Sequence, residues 1–424
     1  KSMNPSHMFR RRNFLMTMSA LPWLPGLLQG APLLRKSNRS LIVLWMDGGM
    51  SHIDTFDGKP EARPDIRGEL VSRESSLEGV FLSEHLPRLA GIMDQCALVR
   101  SVTSPEGNHG RGSHYMLTGR RPSPVLEYPS IGSVLTPEKL SDGNPIPSYV
   151  AIPDAHPYAR QGFLPLTRGP FEVGGDPSKG DFRVRNMAAS PQAQRALSLL
   201  QTVDSLDGKP RSESEAARDR FLSQARFMSL SPQARELFDL NRETPETRKR
   251  YGPKQLGQSA LLARRLVEGG VRTVLVRFKG WDHHESIARA MTYGFPPKLK
   301  ALDQAVTALH EDLARRGLDE RVTVVLASEF GRTPRINPRG GRDHWARASS
   351  VLLFGGGVRR GVVVGKTDAN GEAPIERPVS PADLFCTVLG ALGADLEQVL
   401  HTPDGRPVRT VNESAKPIHE LLQS

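Results

Sequence analysis

The chain has 424 residues, which is enough for one large α/β domain with insertions or for two domains. Its 38% hydrophobic and 24% charged residues are ordinary for a globular protein. The net charge of +11 is scattered along the chain, and no helix-turn-helix, zinc-finger or RNA-binding signature accompanies it, so we expect no nucleic-acid partner. A positive surface can instead concentrate anions such as phosphate or sulfate esters. Cys96 and Cys386 lie in apolar segments, which predicts two buried free thiols.

The first 35 residues have the pattern of an export signal. Three consecutive arginines at positions 10–12 precede a modest apolar stretch at residues 16–28, which two prolines interrupt. This order resembles a twin-arginine signal, and the apolar stretch is too short to span a membrane well. We expect residues 1–35 to be an export signal or else a basic disordered arm. The protein is then periplasmic or otherwise extracytoplasmic, with no transmembrane segment after maturation.

The first strong signal after this segment is a short apolar run that ends in a carboxylate. Leu41–Met46 reads LIVLWM and is followed at once by Asp47, Gly48 and Gly49. A continuous apolar run of this length predicts a buried parallel strand. Because ligands of open α/β sheets bind beyond the carboxyl ends of the strands, Asp47 is expected to face a crevice.

Strand-like and helix-like segments then alternate along the chain, which predicts an α/β fold. Strands are expected over residues 97–102, 149–152, 271–278, 322–327, 349–354 and 361–364, and helices over 84–94, 131–135, 255–269, 297–316 and 381–392, with a further helix that carries Tyr115. A mostly polar, helix-like segment at about 190–250 predicts a helical insertion. We therefore expect residues 36–424 to form one catalytic domain with this insertion.

Acidic and imidazole side chains recur at four predicted strand ends. In chain order they are Asp47; the loop with Asn108, His109, Ser113 and His114; Asp282, His283 and His284; and Glu329, followed by Asp343 and His344. Imidazole nitrogen and carboxylate oxygen are the ligands that zinc and related divalent ions use in hydrolases. The recurrence predicts a metal site at this edge of the sheet.

Several motifs resemble an exported bacterial sulfatase-like family of unknown function within the alkaline phosphatase superfamily. The segments are MDGGMSHIDTFDGKP, LTGR, WDHH, SEFGRTPRIN, GRDHW and FGGGVRRGVVVGKTDANG. The resemblance covers about residues 41–392 and implies a three-layer α/β/α sandwich, alkaline phosphatase or sulfatase-like. It also implies one or two divalent ions (zinc, manganese or calcium), two in active superfamily members, and a nucleophile derived from Ser, Thr or Cys.

The resemblance assigns metal roles to five residues. Asp47 stands where the superfamily has its first-strand metal aspartate. Asp282 and His284 match the pair that binds one ion, and His344 resembles the late histidine ligand of that same ion. Glu329 stands in the place of the acidic ligand of the other ion.

The sequence departs from the superfamily pattern at two positions. Phe330 follows Glu329, where superfamily enzymes often have a histidine ligand. His109 stands at about the nucleophile position, so it is either a nucleophile or a metal ligand. Otherwise Ser113 or Ser104 supplies the hydroxyl, or a metal-activated water attacks directly.

Three arginines are candidates to hold an anionic ester through bidentate hydrogen bonds: Arg111, Arg332 and Arg342. Each is equally compatible with an ordinary ion pair, because arginine is abundant in this chain. No metal role maps onto His52, Asp54 or Asp57, which we interpret as residues that support the site or fix its loop.

These patterns predict a metal-dependent hydrolase of phosphate or sulfate esters that acts outside the cytoplasm. Its substrate would be a small anionic ester or a sulfated or phosphorylated glycan. The alternative is a non-catalytic metal- or anion-binding member of the same fold that binds a glycan or a protein partner. The lack of a hydroxyl at His109 and the presence of Phe330 favour this alternative.

Overall fold

A computed structural model of the protein describes residues 39–137, 146–184, 231–290 and 294–423, with the single positions 192, 195 and 199. The expected export signal at residues 1–35 lies outside the described residues, as does most of the expected insertion up to residue 230. The described part of that insertion contains two short helices, Pro232–Phe238 and Pro245–Tyr251.

Sixteen strands occur in the described part of the chain. In chain order they are β1 (Ser40–Asp47), β2 (Ser72–Glu74), β3 (Phe81–Ser83), β4 (Ala97–Val102), β5 (Tyr149–Ile152), β6 (Phe171–Glu172), β7 (Thr273–Lys279), β8 (Val322–Ala327), β9 (Gly331–Arg332), β10 (His344–Trp345), β11 (Ser349–Gly355), β12 (Val362–Val364), β13 (Lys366–Thr367), β14 (Pro374–Glu376), β15 (Val399–His401) and β16 (Pro407–Arg409).

Eight of these strands form the central sheet in the order β12-β4-β11-β8-β1-β7-β5-β6. β1 pairs in parallel with β7 on one side and β8 on the other. β11 is antiparallel to both of its neighbours, β4 and β8, so the sheet is mixed. As a result, β1, β4, β7 and β8 all run in the same direction and present their carboxyl ends at one edge.

β1 shows why the sheet is covered on both faces. Ile42, Leu44 and Met46 belong to one hydrophobic core, whereas Leu41, Val43 and Trp45 belong to a second. Alternate side chains of a strand point to opposite faces, so a strand that is apolar throughout has to be buried on both sides. The expected three-layer α/β/α architecture is confirmed.

Nine α-helices accompany the strands among the described residues. They are α1 (Pro64–Arg67), α2 (Pro87–Ala90), α3 (His109–Thr118), α4 (Ile131–Leu135), α5 (Pro232–Phe238), α6 (Pro245–Tyr251), α7 (Gln255–Glu268), α8 (Phe295–Arg315) and α9 (Pro381–Ala391), with short 3₁₀ turns at Met93–Gln95, Leu166–Arg168, Leu240–Arg242 and His419–Leu421. α7 and α8 supply apolar side chains to the core on the Ile42 face, whereas α3 and α9 supply the opposite core. Within the described residues, no helix is both long and apolar enough to cross a bilayer.

The helix expected over residues 84–94 is much shorter in the structure. α2 spans only Pro87–Ala90, and Gly91 follows it directly. A proline is favoured in the first turn of a helix and a glycine is unfavourable in its interior, so both limit the helix. The Asp303 carboxylate of α8 accepts the backbone N–H of Leu89 at 2.8 Å and thereby fixes the short helix against the core. Cys96 and Cys386 are buried and unpaired, as predicted.

A buried arginine connects the helices on the Ile42 face. The side chain of Arg264 is fully buried and lies 2.8 Å from the Glu243 carboxylate and 2.9 Å from the Asp312 carboxylate. We expect Arg264→Met to lower the free energy of unfolding by about 3 kcal/mol, because it leaves two buried carboxylates short of a cation. Denaturant unfolding followed by circular dichroism measures the change.

The matched control is Arg360, which pairs with Asp319 and Glu320 at the surface. Arg360→Met should cost less than about 1 kcal/mol, since exposed ion pairs contribute little. Equal losses in the two variants would contradict the role given to Arg264.

Candidate metal centre

Side chains from separate segments meet beyond the carboxyl ends of β4, β7 and β8. Asp282 and His284 follow β7, His109 is the first residue of α3 after β4, and His344 lies in β10. β10 pairs antiparallel with β9, and this pairing sets His344 opposite Arg332. The sheet thus gathers residues that are distant in the sequence.

The Asp282 carboxylate lies at the centre of this cluster. Its Oδ1 is 2.9 Å from Nε2 of His284 and 3.4 Å from Nε2 of His344, and its Oδ2 is 3.4 Å from Nε2 of His109. The Nε2 atoms of His284 and His344 are 3.2 Å apart. The four side chains are between 28% and 44% exposed, so an ion or a small molecule can reach them.

Hydrogen-bond partners determine which nitrogen of His284 and His344 carries the proton. Nδ1 of His284 lies 2.7 Å from Oδ1 of Asp343, and Nδ1 of His344 lies 3.1 Å from the carbonyl oxygen of Gly107. Both partners accept, so both Nδ1 atoms donate, and in the neutral rings both Nε2 atoms keep a lone pair. Nη1 of Arg332, which can only donate, faces Nε2 of His284 at 3.4 Å and agrees with this assignment. The Asp282 carboxylate, an acceptor, also faces Nε2 of His284, so the two rings and the carboxylate need a proton or a metal ion between them.

His109 has the same arrangement. Its Nδ1 lies 2.6 Å from Oε1 of the buried Glu329, so in the neutral ring its Nε2 also keeps the lone pair. That Nε2 is buried and makes no well-aligned hydrogen bond, although Asp282 is close. The hydrogen bond to Glu329, which outweighs the opposing effect of burial, raises the pKa of His109.

These donors fit a divalent cation. His109, Asp282 and His344 each contribute one possible ligand atom, and these three atoms lie within 4.8 Å of one another. Nε2 of His284 lies 3.2 Å from Nε2 of His344, next to the same three atoms. Each imidazole also donates its other N–H to a carboxylate or carbonyl, as metal-ligating histidines do. Three imidazoles and one carboxylate match zinc better than calcium, which prefers oxygen ligands.

Arg332 is fully buried and fixes the cluster from behind. It donates Nε to the carbonyl of Gly49 at 2.7 Å, Nη1 to the carbonyl of Arg342 at 3.1 Å, and Nη2 to the Asp282 carboxylate and the carbonyl of Gly48. Partial burial opposes ionisation of Asp282, but Arg332 overcomes it and lowers the pKa of that carboxyl to about 2. Arg332 was a candidate to hold an anionic ester. In the structure its N–H groups donate hydrogen bonds to acceptors of the chain itself.

The turn after β1 has to be glycine because the chain passes very close to the segment after β7. Gly48 has a φ of +126°, and a Cβ on it would lie 2.6 Å from the backbone nitrogen of Asp282. A side chain at this position would therefore displace Asp282. The paired glycines at the end of the first strand thus permit the contact that positions the cluster.

Asp47 lies beside the imidazole cluster and is engaged by a different partner. Nε and Nη2 of Arg277 lie 2.7 and 2.6 Å from Oδ2 of Asp47, and Nη1 lies 2.6 Å from Asp154. Nε2 of His156 is 3.8 Å from Oδ1 of Asp47. Burial lowers the pKa of His156 to about 4, so this imidazole is neutral at physiological pH.

The remaining predicted catalytic residues are not brought to the cluster in an available form. Arg111 donates Nε and Nη2 to the carboxylate of Glu106 at 2.5 and 3.0 Å. Ser113 lies one turn after His109 in α3, but its hydroxyl is buried and has no hydrogen-bond partner in the described part of the chain. Ser104 accepts the backbone N–H of Glu106 at 3.1 Å.

The other candidate residues of the first loop are structural. Nε of Arg342 donates to Oδ2 of the buried Asp54 at 2.6 Å, and its Nη2 donates to Oδ1 at 3.1 Å. Asp57 accepts from Lys59 at 3.0 Å. Nε2 of His52 lies 2.8 Å from the carbonyl oxygen of Gly371. These contacts fix the loop after β1 but contribute no ligand atom to the cluster.

Sequence reasoning named no role for Asp343, His156 or Arg277. Asp343 directly precedes His344 in the sequence, and this position could have indicated a residue that orients a metal ligand. His156 lies in a segment rich in proline and glycine, and Arg277 lies inside a strand, so neither stands in a motif.

Comparisons with known proteins give a family but no activity. The sequence matches the family described as protein of unknown function (DUF1501) over residues 38–422. No curated protein matches the chain. Similar solved structures include PsFucS1 sulfatase from Pseudoalteromonas sp. (13% identity, 87% of this chain and 72% of that chain, TM-score 0.38) and phosphonate monoester hydrolase from Silicibacter pomeroyi (12% identity, 90% and 78%, TM-score 0.36). A third is the lipoteichoic acid synthase LtaP from Listeria monocytogenes (9% identity, 85% and 73%, TM-score 0.41). The chain belongs to the DUF1501 family of proteins of unknown function.

Proposed function

We propose that the protein is a metal-dependent hydrolase of phosphate or sulfate esters that acts outside the cytoplasm. One observation carries the proposal: the Nε2 atoms of His109, His284 and His344 all lie within 3.4 Å of the carboxylate of Asp282. Such a donor set is stable when a cation neutralises it, and the cluster is open to solvent. The substrate is a small anionic ester or a sulfated or phosphorylated glycan.

Asp282, His109, His284 and His344 would hold the ion. When bound, a divalent cation supplies positive charge that polarises an ester oxygen and offsets the negative charge that develops during hydrolysis. The imidazole-rich donor set favours zinc over manganese and calcium.

The chain's own residues orient this donor set. Glu329 holds the Nδ1 proton of His109 at 2.6 Å, and Asp343 does the same for His284 at 2.7 Å. Arg332 keeps Asp282 ionised. We assign His109 to ion binding and not to nucleophilic attack, because its Nε2 converges with the other donors. The buried hydroxyl of Ser113 is reached by a substrate only if α3 moves.

A second candidate function is a non-catalytic member of the fold that uses the metal or an anion to bind a glycan or a protein. Its support is the pairing of all three arginines that could hold an ester. Arg111 is bound to Glu106, Arg332 to Asp282 and Arg342 to Asp54.

Metal content is the first test of the centre. We expect Asp282→Ala and His344→Ala each to weaken zinc or manganese binding by at least about 100-fold, because each removes a ligand atom of the set. Elemental analysis after equilibrium dialysis measures the bound metal. His401→Ala, at an exposed position on β15, serves as the control and should leave binding unchanged. Full metal retention in both cluster variants would locate the ion elsewhere.

Asp343 provides a test of the tautomer assignment. We expect Asp343→Asn to lower metal affinity by about 10- to 100-fold, because the amide no longer holds the Nδ1 proton of His284 as strongly. Competition with a coloured chelator measures this change. Asp65→Asn, which alters another exposed, ion-paired carboxylate, should have no effect. Equal affinities in the two variants would contradict the orienting role.

Hydrolysis of 4-nitrophenyl phosphate and 4-nitrophenyl sulfate by the metal-loaded protein separates the two candidate functions. We expect measurable turnover that falls by about 10³-fold in Asp282→Ala, equivalent to about 4 kcal/mol of transition-state stabilisation. His401→Ala should retain full activity. Tight metal binding without turnover on a panel of phosphate and sulfate esters would select the non-catalytic function.

A further inference from the structure

We infer that this protein holds a single divalent ion, and that the guanidinium of Arg277 occupies the place of a second cation beside Asp47. The resemblance described above implies two ions, with Asp47 and Glu329 among the ligands outside the imidazole cluster. The side chains around Asp47 and Glu329 do not fit a second ion. The inference rests on the metal centre proposed above.

Asp47 is already neutralised by its own chain. Two nitrogens of Arg277 lie 2.7 and 2.6 Å from Oδ2, which is the geometry of a strong ion pair. Both side chains are largely buried, with 14% and 15% of their surfaces exposed. A metal ion at Asp47 would have to displace a buried, permanently charged guanidinium, which would then keep only Asp154 as an ion-pair partner. This exchange is unfavourable because weakening the pairing of a buried charge is costly.

The imidazole nearest to Asp47 presents a proton and not a lone pair. Nδ1 of His156 accepts the backbone N–H of Tyr158 at 3.2 Å, so in the neutral ring the proton lies on Nε2. That Nε2 faces Oδ1 of Asp47 at 3.8 Å. This is the opposite tautomer to the three histidines of the cluster, and it prevents His156 from supplying a ligand atom on this side.

Both carboxylate oxygens of Glu329 already face hydrogen-bond donors of the chain. Its Oε1 accepts from Nδ1 of His109 at 2.6 Å and from the backbone N–H of Gly48 at 3.0 Å. Its Oε2 lies 3.3 Å from the same N–H and 2.9 Å from the hydroxyl of Ser328, which also lies 2.6 Å from the carbonyl oxygen of Met46. The residue is 1% exposed, so its hydrogen bonds are protected from water. Glu329 therefore orients His109 for the cluster.

Phe330 directly follows Glu329, at the position where superfamily enzymes often have a histidine ligand. Its ring centroid lies 5.1 Å from that of His109 and 4.8 Å from that of His344. The side chain is 2% exposed. A hydrocarbon ring packed at this point excludes water and supplies no donor atom, so it limits the centre to the imidazole side.

The stoichiometry of metal binding tests the inference. The full-length protein, stripped with a chelator and dialysed against zinc or manganese, should bind one equivalent. Asp47→Asn should also bind one equivalent, with an affinity within about tenfold, which is 1.4 kcal/mol, of the wild type. Asp282→Ala should bind none. Elemental analysis gives the equivalents, and circular dichroism verifies that each variant is folded.

Each other outcome has a distinct meaning. Two equivalents in the wild type, falling to one in Asp47→Asn, would overturn the single-ion inference but leave the metal centre and the proposed function intact. No metal in the wild type would overturn the metal centre itself. Arg277→Met adds a direct test of the guanidinium: if it blocks an ion, its removal should allow a second, weaker equivalent at Asp47 and Asp154. A folded Arg277→Met variant that still binds one equivalent would overturn the role of Arg277.

Discussion

The geometry of the site depends on the burial of one guanidinium, that of Arg332. A buried charge with several donors is tolerated only when every donor finds an acceptor. Arg332 satisfies this requirement by binding the carbonyls of Gly48, Gly49 and Arg342 and the carboxylate of Asp282. The turn after β1, the segment after β7 and the strand pair β9–β10 are thereby fixed relative to one another. The imidazoles that these segments and α3 carry are then held within a few ångströms of Asp282.

Two polar regions lie side by side at this edge of the sheet and differ in the source of their positive charge. In the imidazole cluster, three Nε2 atoms and one carboxylate form a donor set that a metal ion would complete. Around Asp47, the cation is the side chain of Arg277, which is part of the protein. Glu329 lies between the two regions and directs its oxygens to donors of its own chain. In our proposal, the proton positions on the histidines distinguish the region that accepts an ion from the one that does not.

Apolar patterns in the sequence were sufficient to locate most strands of the central sheet, whereas the three-layer architecture was implied by the family resemblance. The strands at 97–102, 149–152 and 322–327 occur at their predicted bounds, because a buried parallel strand is a local run of apolar residues. The helix expected over 84–94 is the exception. Its apolar spacing is helical, but Pro87 and Gly91 and the contact of Leu89 with Asp303 limit it to a single turn. At this position, residues that end a helix and a tertiary contact determine the length of the helix, and the apolar spacing does not.

By itself, the sequence determined the α/β class and the recurrence of acids and imidazoles at strand ends, since each of these is a property of neighbouring residues. It also contained Asp282 in the WDHH motif and His109 at about the nucleophile position of the superfamily. Only the tertiary structure decided which of these groups are free to bind a ligand. Asp47 and Arg111 look equally available in the sequence, yet each is bound to an oppositely charged residue. Ion pairs and histidine tautomers depend on contacts between distant segments, and no local pattern encodes which partners the folded chain will bring together.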